Sequence, residues 1–97
     1  MKIQSIDNKS PLLQEVIQLW GKNRKSLGFF PKDAFIERAS KGEILVAIDS
    51  EAEFAGYLLF RTSFNRINLD HLCIVPSLRG KGITKKLINK LKQITKD

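Results

Sequence analysis

Apolar and polar positions follow a different rhythm in each third of the chain, and each rhythm predicts elements. Residues 2–7 alternate weakly, which fits a short first strand with Ile3 and Ile6 on opposite faces. Ser10-Pro11 then gives a helix-start signal, a capping hydroxyl before a proline at the first helical position. Leu12, Leu13, Val16, Ile17, Leu19 and Trp20 fall on one arc of a helical wheel. Lys22, Arg24 and Lys25 continue this helix, and Gly28 ends it. Phe29-Phe30-Pro31 reads as a connector. A second short helix runs from about Asp33 to Ala39, with Gly42 as its stop.

The middle third is strand-like. Residues 44–48 form an apolar run that fits a buried strand, and residues 49–53 form a polar turn. Residues 54–60 are a second such run, in which Gly56 predicts a bulge or a close neighbour. Residues 63–66 are another turn. Ile67 to Val75 is the next strand, carrying Asp70, His71 and Cys73. Short polar turns between these strands predict an antiparallel meander. Pro76 ends the last strand, and Ser77 to Gly82 form a loop. The final helix begins near Gly82. Ile83, Thr84, Leu87, Ile88, Leu91 and Ile94 lie on its sheet-facing arc, and Lys85, Lys86, Lys90, Lys92 and Lys96 lie opposite. The fold class is therefore α+β, mainly an antiparallel meander with two N-terminal helices and one helix after the loop.

Composition narrows the class. The 97 residues suit one domain, residues 1–97, and the hydrophobic fraction of 42% is too high for a disordered tail. No apolar run approaches the ~20 residues of a membrane span, and residues 1–7 have neither the apolar region of a signal peptide nor an Arg-rich transit character. A single Cys cannot form an internal disulfide, and with no disulfide framework to demand an oxidising compartment the expected address is the cytoplasm. One Cys and one His supply no metal cluster. The net charge of +7 is uneven: residues 43–60 carry four acids and no base, whereas residues 79–97 carry seven bases and one acid. That basic end suits a phosphate-bearing ligand or an acidic partner, or is simply a solvated helix face. Nucleic acid is the weaker fit, because no aromatic residue interleaves with the lysines and no helix-turn-helix or zinc motif is present.

The chemistry lies in Arg79-Gly80-Lys81-Gly82-Ile83-Thr84. Two glycines let a backbone turn sharply beside a ligand, and the following helix start offers unpaired amides. This is an anion site suited to phosphate. The competing reading is a plain strand-to-helix turn. A P-loop is excluded because Gly82 is not followed by Lys-Ser/Thr. A dinucleotide fingerprint is excluded because Lys85 stands where its third glycine belongs.

The stretch Leu72-Cys73-Ile74-Val75-Pro76-Ser77-Leu78-Arg79-Gly80-Lys81-Gly82-Ile83 resembles the central motif of the GCN5-related N-acetyltransferase (GNAT) superfamily. The upstream hairpin, with Gly56-Tyr57-Leu58, and the order of elements before it are similar too. The resemblance covers essentially the whole chain as the N-terminal part of that fold, lacking its C-terminal strands and helix. It implies acetyl-CoA as cofactor and transfer of an acetyl group to a small-molecule or peptide amine. Ile74 and Val75 would pair with the pantetheine arm. Gly80, Lys81, Gly82, Ile83 and Thr84 would hold the pyrophosphate, with a contact from Arg79. Thr84 departs from the family pattern, which has Gly or Ala there; this bears on cofactor affinity. Asp70 is the catalytic candidate, a base for the attacking amine. The competing reading pairs it with Arg61 or Arg66. Strand alternation places Asp70 and His71 on opposite faces. His71 is the weaker candidate, and Cys73 reads as a small buried hydrophobe. Two further expectations follow. The chain is an enzyme, or its cofactor-binding half, or else a non-catalytic module binding CoA or a protein. Its central strand is an exposed edge open to homodimerisation or strand exchange.

Overall fold

The computed structural model describes residues 1–95. Strand β1 (Lys2–Ser5) leads to helix α1 (Leu12–Lys22), a single helical turn α2 (Arg24–Leu27) and helix α3 (Lys32–Ser40). Strands β2 (Ile44–Ile48), β3 (Phe54–Ser63) and β4 (Arg66–Ile74) follow, then a 3-10 turn (Pro76–Leu78) and helix α4 (Ile83–Ile94). The four strands form one antiparallel sheet in the order β1-β2-β3-β4. The α+β meander expected from the sequence is therefore the observed fold.

The apolar run of β2 follows from its position, because both faces of the strand are covered. Ile44 and Val46 face a core built with α1 and α3, through Leu13, Val16, Leu19 and Phe35. Leu45 and Ala47 face the opposite core, where Ile83, Leu87 and Leu91 of α4 pack. In α1 the Ser10 hydroxyl accepts the Leu12 N–H at 3.2 Å, as the Ser-Pro signal implies.

The single helix expected from Pro11 to Gly28 is broken. Asn23 leaves helical geometry (φ −124°, ψ 15°), and its side-chain Nδ2 donates to the Leu19 carbonyl at 2.9 Å. An amide side chain that bonds a nearby carbonyl competes with the helix ladder, so the last turn becomes the separate α2. The N-terminal part thus holds three helical segments rather than two. Gly28, with φ 83°, ends α2, and its carbonyl accepts Trp20 Nε1 at 3.0 Å.

Gly56 is a close-approach glycine. A Cβ there would lie 2.7 Å from the Cys73 carbonyl oxygen and 3.0 Å from the Ile74 Cα. The β2–β3 register also shifts beside it, with Ala47 opposite Gly56 but Ile48 opposite Phe54. Both consequences expected of this glycine are therefore present. The β3–β4 hairpin closes with Phe64-Asn65, between the paired Ser63 and Arg66. Two parts of the last helix differ from expectation. Ile94 is exposed, because the end of α4 runs past the buried sheet face. Thr84 is exposed as well and leaves the sheet-facing arc to Ile83, Leu87 and Leu91. Lys96 lies outside the described residues.

Candidate cofactor and acyl-transfer site

The site begins where β4 hands over to α4. Val75 leads into the 3-10 turn, and Arg79 follows in extended conformation. Gly80 (φ 82°) and Gly82 (φ 81°) both adopt left-handed geometry, which side chains disfavour. A Cβ on either would meet nothing within 4 Å. Their role is thus backbone geometry, and the space above them is open. The first helical bond of α4 runs from the Lys86 N–H to the Gly82 carbonyl at 3.3 Å. Among the described residues, the amides of Gly80, Lys81, Gly82, Ile83, Thr84 and Lys85 find no protein acceptor. Ile83, buried at the first turn, anchors this row of donors to the sheet. Lys81 and Lys85 are exposed beside it. Such a row at a positive helix end suits a phosphate group.

β4 is the outer strand of the sheet, and Ile74 sits at its open edge. The Val75 N–H donates to the Ala55 carbonyl at 2.9 Å, so that amide is committed to the sheet. Antiparallel alternation then turns the N–H and C=O of Ile74 outward. Of the two residues expected to pair with a cofactor arm, only Ile74 has its amide free to do so. A cleft of about 350 Å³ runs along this edge, lined by Asn23, Ser26, Leu27, Leu72, Cys73 and Ile74. A second hollow of about 180 Å³ lies over Gly80 and Gly82. The two share Ile74, Arg79 and Thr84, so edge and loop form one continuous surface. An extended ligand with an anionic end fits this shape: strand-like pairing along β4 and charge over the loop.

Upstream on β4 the register slips by one residue. Leu59 faces His71, but Phe60 faces Leu69, which leaves Asp70 as the extra residue of a β-bulge. Strict alternation fails there. Asp70 and His71 both reach the α3 side, where Asp70 bonds Arg38 of α3 and His71 packs on Phe30 and Phe35. The partner of Asp70 is Arg38, not Arg61 or Arg66. Arg38 also donates to the Phe60 carbonyl, lies 3.9 Å from Glu43 Oε1, and sits 5.7 Å above the Phe30 ring. The other oxygen of Glu43 accepts the Thr62 N–H at 2.9 Å and the Thr62 hydroxyl at 3.1 Å. Asp70 Oδ1 accepts no hydrogen bond from the described residues.

His71 is buried, and its Nδ1 has no hydrogen-bond partner among the described residues. Burial lowers its pKa, and Arg38 adds to this; Asp70 and the Leu27 backbone oppose it. Burial pushes the Cys73 thiol up, against a smaller pull from neighbouring Arg79. Phe35 is core and Trp20 packs on it at 5.7 Å, so both serve packing. Sequence reasoning missed Asn23, Ser26 and Leu27 as cleft-lining residues, and Arg38 as the hub beside Asp70. An Asn inside a predicted helix was the one available signal for the first group. For Arg38 the sequence carries none, because the partners that tie it to β3 and β4, Phe60 and Asp70, lie 22 and 32 positions away.

An antiparallel sheet whose outer strand feeds a glycine loop and a basic helix defines the class, and sequence comparison agrees. The model of the acetyltransferase (GNAT) domain matches residues 14–97, so the chain belongs to the GNAT acetyltransferase family. No curated protein matches the sequence. Among solved structures, the chain is similar to Rv2747 from Mycobacterium tuberculosis in complex with CoA and NLQ (TM-score 0.84, 16% identity). That match covers 100% of this chain and 58% of the other. It is also similar to an aminoglycoside 6'-N-acetyltransferase complexed with coenzyme A (TM-score 0.79, 20% identity, 98% and 55% covered). Tetrahymena GCN5 gives a TM-score of 0.63 at 18% identity, with 97% and 61% covered. The chain thus spans little more than half the length of the first two structures. No helix among the described residues is long and apolar enough to cross a membrane.

Proposed function

We propose that the chain is an acetyl-CoA-dependent N-acetyltransferase, or its cofactor-binding half, acting on a small-molecule or peptide amine in the cytoplasm. The single domain of residues 1–97 would then be the part of the fold that carries the cofactor loop. The carrying observation is the continuous surface from the open edge of β4 to the unpaired amides of the loop. The backbone of Gly80, Lys81, Gly82, Ile83 and Thr84 holds the pyrophosphate, and Arg79 adds a charge-assisted contact. Ile74 pairs with the pantetheine arm through its outward amide groups, and Val75 holds the end of the strand. The bound cofactor supplies an acetyl thioester. The acceptor must arrive as a neutral amine, and Asp70 takes its proton through water on Oδ1 while Arg38 fixes Oδ2.

Calorimetric titration of the 97-residue chain with acetyl-CoA tests this reading, beside Gly82→Asp. Asp tolerates left-handed geometry better than most residues, so the variant keeps the loop while placing a carboxylate against the phosphates. Saturable binding to the parent, lost in the variant, is the expected result. Absence of binding to the parent would overturn it.

A second reading rests on the open edge of β4. Ile67 and Leu69 are exposed along it, and the exposed Phe64 stands at the hairpin tip. Such an edge accepts another strand, so a non-catalytic module that binds CoA or a protein, or pairs with a second copy, is the alternative. Analytical ultracentrifugation separates the two: a dimer that acetyl-CoA leaves unchanged favours the second.

A further inference from the structure

Arg79 does not point at the loop. Its Nε donates to the Ile74 carbonyl at 3.0 Å, and its Nη2 donates to Asn23 Oδ1 at 3.4 Å. Asn23 is itself oriented, because its Nδ2 donates to the Leu19 carbonyl. That bond leaves the amide oxygen facing the guanidinium. Arg79 therefore crosses the cleft wall beside Cys73 and occupies the outward carbonyl of Ile74, which an extended ligand would use.

We propose that Arg79 is a clip across the open edge of β4 in the ligand-free protein, and that Asn23 is the positioning residue that holds it shut. This rests on the CoA reading above. Entry of an amide-bearing arm along β4 competes with Arg79 for the Ile74 carbonyl. Once displaced, the guanidinium is adjacent to Gly80 and the free loop amides, where it meets the pyrophosphate. The exchange is favourable for the ligand, since guanidinium bonds to neutral acceptors are replaced by one to an anionic acceptor. It also couples the cofactor loop to the break between α1 and α2. The Asn23–Arg79 bond exists only in the closed state, so through it Asn23 opposes binding, whereas Arg79 acts on both states.

The test is calorimetric titration of the 97-residue chain with CoA. Asn23→Ser withdraws the side chain from Arg79 while keeping a residue suited to a helix start. It should tighten binding about 2- to 5-fold, the scale of one weak hydrogen bond. Asn23→Asp gives up the bond to Leu19 but sets a carboxylate against the Arg79 guanidinium, and should weaken binding. In an Arg79→Met background, Asn23→Asp should have no effect. The proposal is overturned if Asn23→Ser, with its thermal transition intact, binds no tighter than the parent. It is equally overturned if the penalty of Asn23→Asp persists without Arg79, which would reveal a general charge effect. Should Asn23→Ser fail to fold, the Asn23→Asp pair decides. A parent that binds no CoA removes the functional reading and this proposal together. A parent that binds, with neutral Asn23 variants, removes only the proposal.

Discussion

The two faces of the sheet are packed by different means. Against α4 the buried layer is hydrocarbon throughout: Leu45, Ala47, Leu58, Phe60, Ile74 and the Ile83, Leu87 and Leu91 stripe. Against α1 and α3 the layer holds aromatic rings and buried polar groups, with Glu43 beside Arg38 and His71 beside Tyr57. The plain face serves as a platform: it fixes the helix whose first amides form the loop site. The polar face carries the titratable groups, held by one arginine from α3. Both meet at β4, whose bulge aims Asp70 while its outer edge stays open. The comparison separates the side of the sheet that builds the cofactor loop from the side that carries the candidate proton chemistry.

The largest effect expected is loss of a ring from the polar face. Phe35 is fully buried between Trp20, Phe30 and Tyr57. Phe35→Ala should cost about 4 kcal/mol in urea denaturation, against about 3 kcal/mol for Leu87→Ala on the plain face. A reversed order would mean that the hydrocarbon layer, not the aromatic one, dominates stability. Arg38→Met follows. It leaves Asp70, Glu43 and the Phe60 carbonyl without their shared cation, at an expected cost of about 3 kcal/mol. A cost below about 1 kcal/mol would show that the network is solvated and that Arg38 is not what holds the bulge.

The plain face was legible in the sequence, and the polar face was not. The α4 stripe repeats at helical spacing, and the loop residues are neighbours in the chain, so periodicity and spacing suffice. Thr84 escaped this reading because a wheel cannot say where the buried arc stops. The pairing of Arg38 with Asp70 depends on a register slip that no local pattern marks, and alternation then places Asp70 and His71 wrongly. The α1–α2 break was readable only as an Asn among helix formers, and its consequence for Arg79 needs the tertiary fold.

A smaller effect distinguishes the faces by pH. Burial lowers the His71 pKa in the folded chain, whereas the unfolded value is about 6.5. The unfolded state therefore binds more protons in this range. Stability is fully present above pH ~6.5 and falls as pH drops toward the lowered native value. Urea titrations from about pH 7.5 to 5.5 should show this slope, and His71→Leu should remove it. A slope that survives the substitution would place the titrating group elsewhere.

The smallest expected effect concerns Tyr57, which lies fully buried with a hydroxyl that has no partner among the described residues. Burial pushes its pKa well up, and Cys73 adds to this, so the phenol stays neutral. An orphaned hydroxyl costs the folded state its desolvation, so Tyr57→Phe should stabilise by about 0.5–1 kcal/mol in the same urea assay. The neighbouring His71 Nδ1 is orphaned too, with ring centroids 6.5 Å apart. A hydroxyl and an imidazole nitrogen, both buried and on neighbouring rings, are the kind of partners a bridging water requires. If Tyr57→Phe instead destabilises by 1 kcal/mol or more, the two groups are joined through such a water. Tyr57 and His71 would then be a satisfied pair, and the difference of the polar face from the hydrocarbon face would be one of bonding rather than of tolerated strain.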